Sequence, residues 1–230
     1  MLSVSFFLLA VSLTAQDLDH DGLKDRFEQD LLQRFLPTFQ VSGAECDGSP
    51  AEFERDRVSP RPVARNGTVY GRDATSKQGV NHLEIQYFHL WVRECGPFSH
   101  ALDVKHVSAL LTASNRNQPA RKWKAVSRYA AAHEGTLCDN SGRIRANELK
   151  AESKGPIVWI SKGKHASYLD LRQCALGCRT DVCTNSQTMQ VTRVINLGEP
   201  DAPLNGSLFV QSRRWKFREK LLRSDFQLIQ

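Results

Sequence analysis

The sequence predicts a mainly β protein of the α+β class: an antiparallel β-sandwich with inserted and terminal helices. Three observations lead there. Apolar segments with strand periodicity recur along the chain, they are joined by loops, and helical periodicity is confined to a few places instead of following each strand. A doubly wound sheet would need strands and helices to alternate regularly. Hydrophobic residues are 40% and charged residues 24% of the 230, ordinary values for a globular domain. The net charge of +6 favours anionic surfaces only mildly.

Residues 1–16, MLSVSFFLLAVSLTAQ, are uncharged and hold an apolar run from Val4 to Leu13, followed by Thr14 and Ala15. The run falls short of the roughly 20 residues a spanning helix needs, and it reads as a secretory signal peptide. Its removal leaves about 215 residues, enough for one core without a second domain. No other segment looks membrane-spanning, so the mature chain is expected to be secreted or periplasmic. Six cysteines, Cys46, Cys95, Cys138, Cys174, Cys178 and Cys183, form an even set, as three disulfides of an exported protein would require. Their spacing leaves the pairing open.

Residues 17–40 read as a calcium loop and a helix. In DLDHDGLKDRFE, with Asp17 as position 1, carboxylates stand at positions 1, 3, 5, 9 and 12: Asp17, Asp19, Asp21, Asp25 and Glu28. Gly22 at position 6 permits the sharp turn, and Leu23 at position 7 supplies a backbone carbonyl, which is the oxygen spacing of an EF-hand-type loop. Without a cation the five acids repel one another. Lys24 stands where paired loops carry an apolar residue, and no incoming helix precedes Asp17, so the stretch resembles the single DxDxDGxxDxxE loops of exported proteins. Phe27, Leu31, Leu32, Phe35 and Leu36 repeat at helical spacing until Pro37 stops the helix.

Residues 41–230 read as a single sandwich domain. Residues 41–78 are loop-rich, with a short strand at GTVYG. The clearest strand is HLEIQYFHLWV, residues 82–92, apolar on both faces in its second half and therefore expected at the centre of a sheet. ALDVKHVSALL, residues 101–111, reads as its neighbour. Asn117 and Pro119 signal a helix start, and Trp123, Val126 and Ala130 fall on one stripe, which predicts a helical insertion at about residues 119–152. Further strands are expected at residues 156–161, 189–198 and 207–212. A basic terminal helix is expected to pack through Trp215, Leu222 and Phe226.

Two groups of residues stand out as candidate chemistry. His100, Asp103 and His106 follow at three-residue spacing, and His165 comes just after Gly163 beyond an apolar strand. Imidazole with carboxylate suits a divalent metal or a general base, so a metal-dependent hydrolase using His100, Asp103, His106 and His165 is one functional reading. On an unbroken strand, His100 and His106 would share one face while Asp103 pointed to the other, so convergence needs His100 to lie in the preceding loop. No nucleophile elbow, phosphate loop, dinucleotide fingerprint or nucleic-acid motif appears, and no nucleic-acid partner is expected.

IQYFHLWV, SHALDVKHV and PIVWISKGKHASY together resemble the β-sandwich superfamily of necrosis- and ethylene-inducing-like proteins and vacuolar-sorting-related proteins. With the N-terminal loop, the layout is similar to that of exported bacterial proteins. In the necrosis-inducing branch a G-H-R-H-D-W-E segment helps hold a divalent cation at the sandwich rim. The resemblance puts His100 and Asp103 in the His and Asp places, with Glu94 standing in for an upstream acid and His165 for a later His. Ser99, Leu102, Val104 and Lys105 stand where that pattern has Gly, His, Trp and Glu. A lysine cannot serve as an anionic oxygen ligand. The loop makes calcium the expected cofactor, and the resemblance implies a non-enzymatic, cation-binding protein with a second divalent cation at the rim. Its expected partner is an anionic cell surface, lipid headgroups or cell-wall polymer. Two basic clusters, Arg121, Lys122, Lys124 and Arg128, and Arg213, Arg214, Lys216, Arg218, Lys220 and Arg223, are the residues available for that contact.

Overall fold

The computed structural model describes residues 16–54, 59–96, 99–178, 181–198 and 217–227. Residues 1–15, where a signal peptide is expected, and the strand expected at residues 207–212 lie outside them. Along the chain run α1 (Asp25–Arg34), β1 (Thr38–Ser42), β2 (Glu52–Phe53), β3 (Pro62–Ala64), β4 (Val69–Thr75), β5 (His82–Arg93) and β6 (Ala101–Thr112). There follow β7 (Lys124–Ala130), β8 (Gly142–Arg145), β9 (Ile157–Ile160), β10 (Ser167–Tyr168), α2 (Leu171–Leu176), β11 (Ser186–Thr188), β12 (Val194–Asn196) and α3 (Phe217–Leu221).

The strands form a six-stranded sheet, β12-β4-β5-β6-β7-β8, and a four-stranded sheet, β10-β9-β1-β11, with β2 and β3 as a separate pair. Pairing is antiparallel except between β1 and β9 and between β12 and β4. The main core lies between the two sheets and α1. Phe39, Val41, Val158 and Ile160 of the smaller sheet meet Leu83, Ile85, Tyr87 and Trp91 of β5, and Leu31, Leu32 and Phe35 join from α1. Each such fully buried side chain contributes about 1.5–3 kcal/mol. A second cluster, with Phe53, Tyr70, Phe88, Leu90, Ile195 and Leu221, covers the other face of the large sheet. This explains why β5 is apolar on both faces: a core lies on each side of it.

The expected helical insertion at residues 119–152 is instead a single 3-10 turn at Ala120–Lys122 followed by β7 and β8. Trp123 and Ala125 are buried while Lys124 and Val126 are exposed, an alternation of two. The Ala-rich stretch favours helix only weakly, and pairing of β7 with both β6 and β8 overrides it. At residues 189–198 only Val194–Asn196 is strand. At the C-terminus Leu221 and Phe226 are buried and Leu222 is exposed, so the packed position is one residue earlier than expected; Trp215 lies outside the described residues.

Three disulfides form: Cys46–Cys95, Cys138–Cys178 and Cys174–Cys183. The first spans 49 residues, worth about 4 kcal/mol by loop-closure entropy, and fastens the segment after β1 to the end of β5. No helix among the described residues is long and apolar enough to cross a membrane.

Candidate cation site and the charged rim

The acidic loop folds back onto the start of α1. Gly22 has φ +85, in the left-handed region that favours glycine. Gly22 N donates to Asp17 Oδ2 at 3.1 Å, Leu23 N to Asp21 Oδ1 at 2.6 Å and Leu18 N to Asp25 Oδ1 at 2.9 Å. Leu23 is anchored in the main core, which holds the loop backbone in place. Ligand oxygens of Asp17, Asp19 and Asp25 lie within 4.8 Å of one another, as do those of Asp19, Asp21 and Glu28. Thus the five acids converge as two overlapping groups sharing Asp19.

Glu28 is fully buried, one turn into α1. Its Oε2 accepts from Asn196 Nδ2 at 3.1 Å, while Oε1 is buried without a hydrogen-bond partner, as is Asp17 Oδ1. Burial, with Asp19 and Asp21 nearby, pushes the Glu28 carboxyl up to about 8. An all-oxygen donor set with partnerless buried oxygens fits a hard divalent cation, whose charge would reverse that shift. A buried acid that sequence reading did not single out, Asp73 of β4, is pushed well above the usual carboxylate range by burial and then by Glu28, Asp21 and Asp19.

The second group assembles at the rim of the sandwich. His100 lies in the loop before β6, as convergence requires, and its Nε2 is 3.2 Å from Glu94 Oε2. Ligand atoms of Glu94, His100 and Asp103 lie within 4.8 Å of one another. Lys105 Nζ, however, stands 2.6 Å from Asp103 Oδ1 and 3.9 Å from Glu94 Oε2. On the other side of Asp103, its Oδ2 meets His165 Nδ1 at 2.9 Å, and His165 Nε2 lies 3.4 Å from Glu45 Oε1. Burial opposes charge here, yet Lys105 and His165 hold the Asp103 carboxyl well below the usual range. Burial likewise lowers His165, but the hydrogen bonds and charges of Asp103 and Glu45 outweigh it and raise the imidazole.

Local backbone geometry positions these groups. His165 has φ 55 in the turn after β9, and Gly163, φ +75, packs so that a Cβ would fall 2.4 Å from Cys95 O. Gly163 N donates to Glu45 Oε2 at 2.8 Å. Asp47 Oδ2 accepts from Val92 N and Arg93 N. Together with Cys46–Cys95, these bonds bring Glu45 to His165. His165 stacks on Trp91, with centroids 3.8 Å apart and planes 5° from parallel. Sequence reading missed Glu45, whose one signal is its place next to Cys46.

His106 does not join this group. It lies opposite Phe88 on the other face of the sheet, where Nε2 meets Asp225 at 3.1 and 3.2 Å, and Ser108 Oγ donates to Asp225 Oδ2 at 2.6 Å. The four-residue set His100, Asp103, His106 and His165 therefore shares no common point, because side chains along β6 alternate between faces. Arg128 is buried too, donating to Ala151 O and Lys154 O, while Arg121, Lys122 and Lys124 remain exposed. In the second basic cluster Arg223 pairs with Glu134 and Asp225, and Lys220 lies 3.5 Å from Glu134. Arg213, Arg214 and Lys216 lie outside the described residues, as does the side chain of Arg218.

No family model and no curated protein matches the chain. Among solved structures it is similar to a mutant of NLPPya, at 18% identity and TM-score 0.49, over 86% of this chain and 90% of that one. NLPPya in complex with glucosamine is similar at 17% identity and TM-score 0.47, over 93% and 96%. Necrosis and Ethylene inducing Protein 2, from the causal agent of cocoa's Witches Broom disease, is similar at 13% identity and TM-score 0.42, over 72% of each chain.

Proposed function

We propose that the protein is an exported, disulfide-stapled β-sandwich that binds calcium through Asp17, Asp19, Asp21, Leu23, Asp25 and Glu28. In this reading it serves as a non-catalytic binding module at an anionic surface. The observation that carries the cation is Glu28: a fully buried carboxylate, one oxygen without a hydrogen-bond partner, within ligand distance of Asp19 and Asp21. Calcium supplies the charge that this burial calls for, and the loop then holds the chain start against the sheet. The second divalent cation has a substitute in this reading, since the Lys105 ammonium stands between Asp103 and Glu94. The hydrolase reading loses its basis with His106 on the opposite face.

In this reading the anionic partner meets a cavity of about 560 Å³ beside the rim, where Lys105, Lys164 and Lys220 outnumber Glu94 and Glu134. Phosphate-bearing lipid headgroups and cell-wall polymer share the chemistry that would fill it. Calorimetric titration of calcium into the oxidised protein tests the cation. Binding is expected at about 0.1–1 mM, the range of extracellular modules, and is lost in Asp19→Ala/Asp21→Ala. No uptake by the wild type up to about 10 mM, well beyond that range, would sink the reading. Co-sedimentation with phosphatidylglycerol vesicles, weakening as salt rises, tests the surface.

A further inference from the structure

Asp73 has no exposed surface, and neither of its carboxylate oxygens has a hydrogen-bond partner. Burying a carboxylate with nothing to neutralise it is among the costliest arrangements in a protein interior, so such a group calls for a proton or a cation.

Strand geometry fixes where it points. Side chains of β4 alternate, and Val69 belongs to the core between the sheets. Gly71, on the same face, lies so close to α1 that a Cβ there would fall 2.5 Å from Leu32 Cδ2. Asp73 continues that face. The neighbouring strand, β12, runs parallel with Asn196 beside Gly71. Asn196 is the residue that donates to Glu28, and two residues further on a Cβ at Gly198 would fall 2.4 Å from Asp19 Oδ2. Asp73 is likewise two residues beyond Gly71, on the face and at the level where Asp19 and Glu28 meet the sheet. The adjacent cation, Arg72, faces the other way, with Nη1 donating to Leu221 O at 2.6 Å and Gln86 Oε1 at 3.3 Å.

We propose that Asp73 is a sheet-borne oxygen ligand of the divalent cation held by residues 17–28, reached directly or through one bound water. The site is then no self-contained loop. Calcium accepts six to eight oxygens and often one of them through water, so a sheet carboxylate fits its shell. The ion ties α1 and its loop to β4 and, through Asn196 and Glu28, to β12.

The inference rests on the loop reading, and one experiment separates their failures. Calcium is titrated by calorimetry into the full oxidised protein, and melting is followed in calcium and in chelator for wild type, Asp73→Asn and Asp19→Ala/Asp21→Ala. The loop pair should abolish binding. Asp73→Asn should weaken it by about 10-fold or more and lower Tm in calcium, while holding or raising Tm in chelator, where the buried acid is only a burden. Wild-type affinity in Asp73→Asn, with Tm raised in both media, overturns the inference and leaves the loop intact; Asp73 is then a protonated core group. A wild type that takes up no calcium removes the loop reading and this one with it. If Asp73→Asn does not fold, Asp73→Ser is read in the same way, and failure of both to fold in chelator assigns Asp73 to the core and overturns the proposal.

Discussion

The acidic loop and the rim both gather carboxylates in or near the protein interior, and they differ in where the balancing charge comes from. At the rim, Asp103, Glu94 and Glu45 are met by groups of the chain itself, Lys105 and His165. In the loop, oxygens of Asp17, Asp19, Asp21, Asp25 and Glu28 crowd against one another, and the balance we propose is a calcium ion. The consequence shows in the proton affinities: the Asp103 carboxyl is held low, and the Glu28 carboxyl is pushed up to about 8. A built-in ammonium cannot be removed by a chelator or diluted away. A borrowed cation can, so the loop should respond to a chelator and the rim should not.

The largest test of this contrast is Asp103→Ala. It leaves Lys105 and His165 without their shared partner, and breaking such a buried pair costs about 3–5 kcal/mol. Urea denaturation should show that loss equally in calcium and in chelator; a calcium-dependent loss would mean that the two regions are not separate. Next in size is calcium removal from the wild type. At 100 times the dissociation constant the ligand stabilises by about 2.7 kcal/mol, or roughly 5–10 °C of Tm for a chain of this size. Asp19→Ala/Asp21→Ala should show no calcium-dependent shift at all.

A smaller effect belongs to pH. His165 is raised above its ordinary value of 6.5 on folding, so its contribution is complete below that value and is lost as pH rises through the folded pKa. Asp103 is depressed, so its contribution is present above its ordinary 3.8 and is lost as pH falls. Stability of the rim should therefore be greatest between about 4 and 6.5, a tenfold change in a group's proton affinity on folding being worth about 1.4 kcal/mol. A His165→Asn variant whose denaturation midpoint keeps the wild-type decline above that window would assign it to another group. The smallest and most specific change is Lys105→Glu, which puts a carboxylate in place of the ammonium. A second, weak divalent-cation binding event should appear in calorimetry, independent of the loop pair; its absence would show that more than Lys105 keeps a metal out.

How much of this was legible in the sequence depended on distance along the chain. The loop is a contiguous pattern of twelve residues, so its converging carboxylates and its helix could be read together, and Pro37 marked the end. β5 declared itself by being apolar on both faces, and His100 and Asp103 by their motif. Glu45 and Asp73 could not be found this way, since each owes its place to folding: Glu45 is brought to His165 by the Cys46–Cys95 bond and Gly163, and Asp73 to the side of the acidic loop by the pairing of β4 with β12. The stretch after Pro119 misled because Trp123, Val126 and Ala130 fit a helical stripe, while strand pairing on both edges decided the structure. His106 shared a motif with Asp103 but not a face, since a strand sends alternate residues to two different environments.

The parallel stack of His165 on Trp91 has an optical consequence. An indole in face contact with an imidazole senses whether that ring carries charge, because a cation over an aromatic face perturbs its electrons. Trp91 is fully buried, so its emission is shielded from solvent quenchers and follows events in the interior. The protein thus contains its own spectroscopic probe of the rim: as the chain holds four tryptophans, the difference between fluorescence titrations of wild type and Trp91→Phe, with no label added, follows the protonation of His165 in the folded chain.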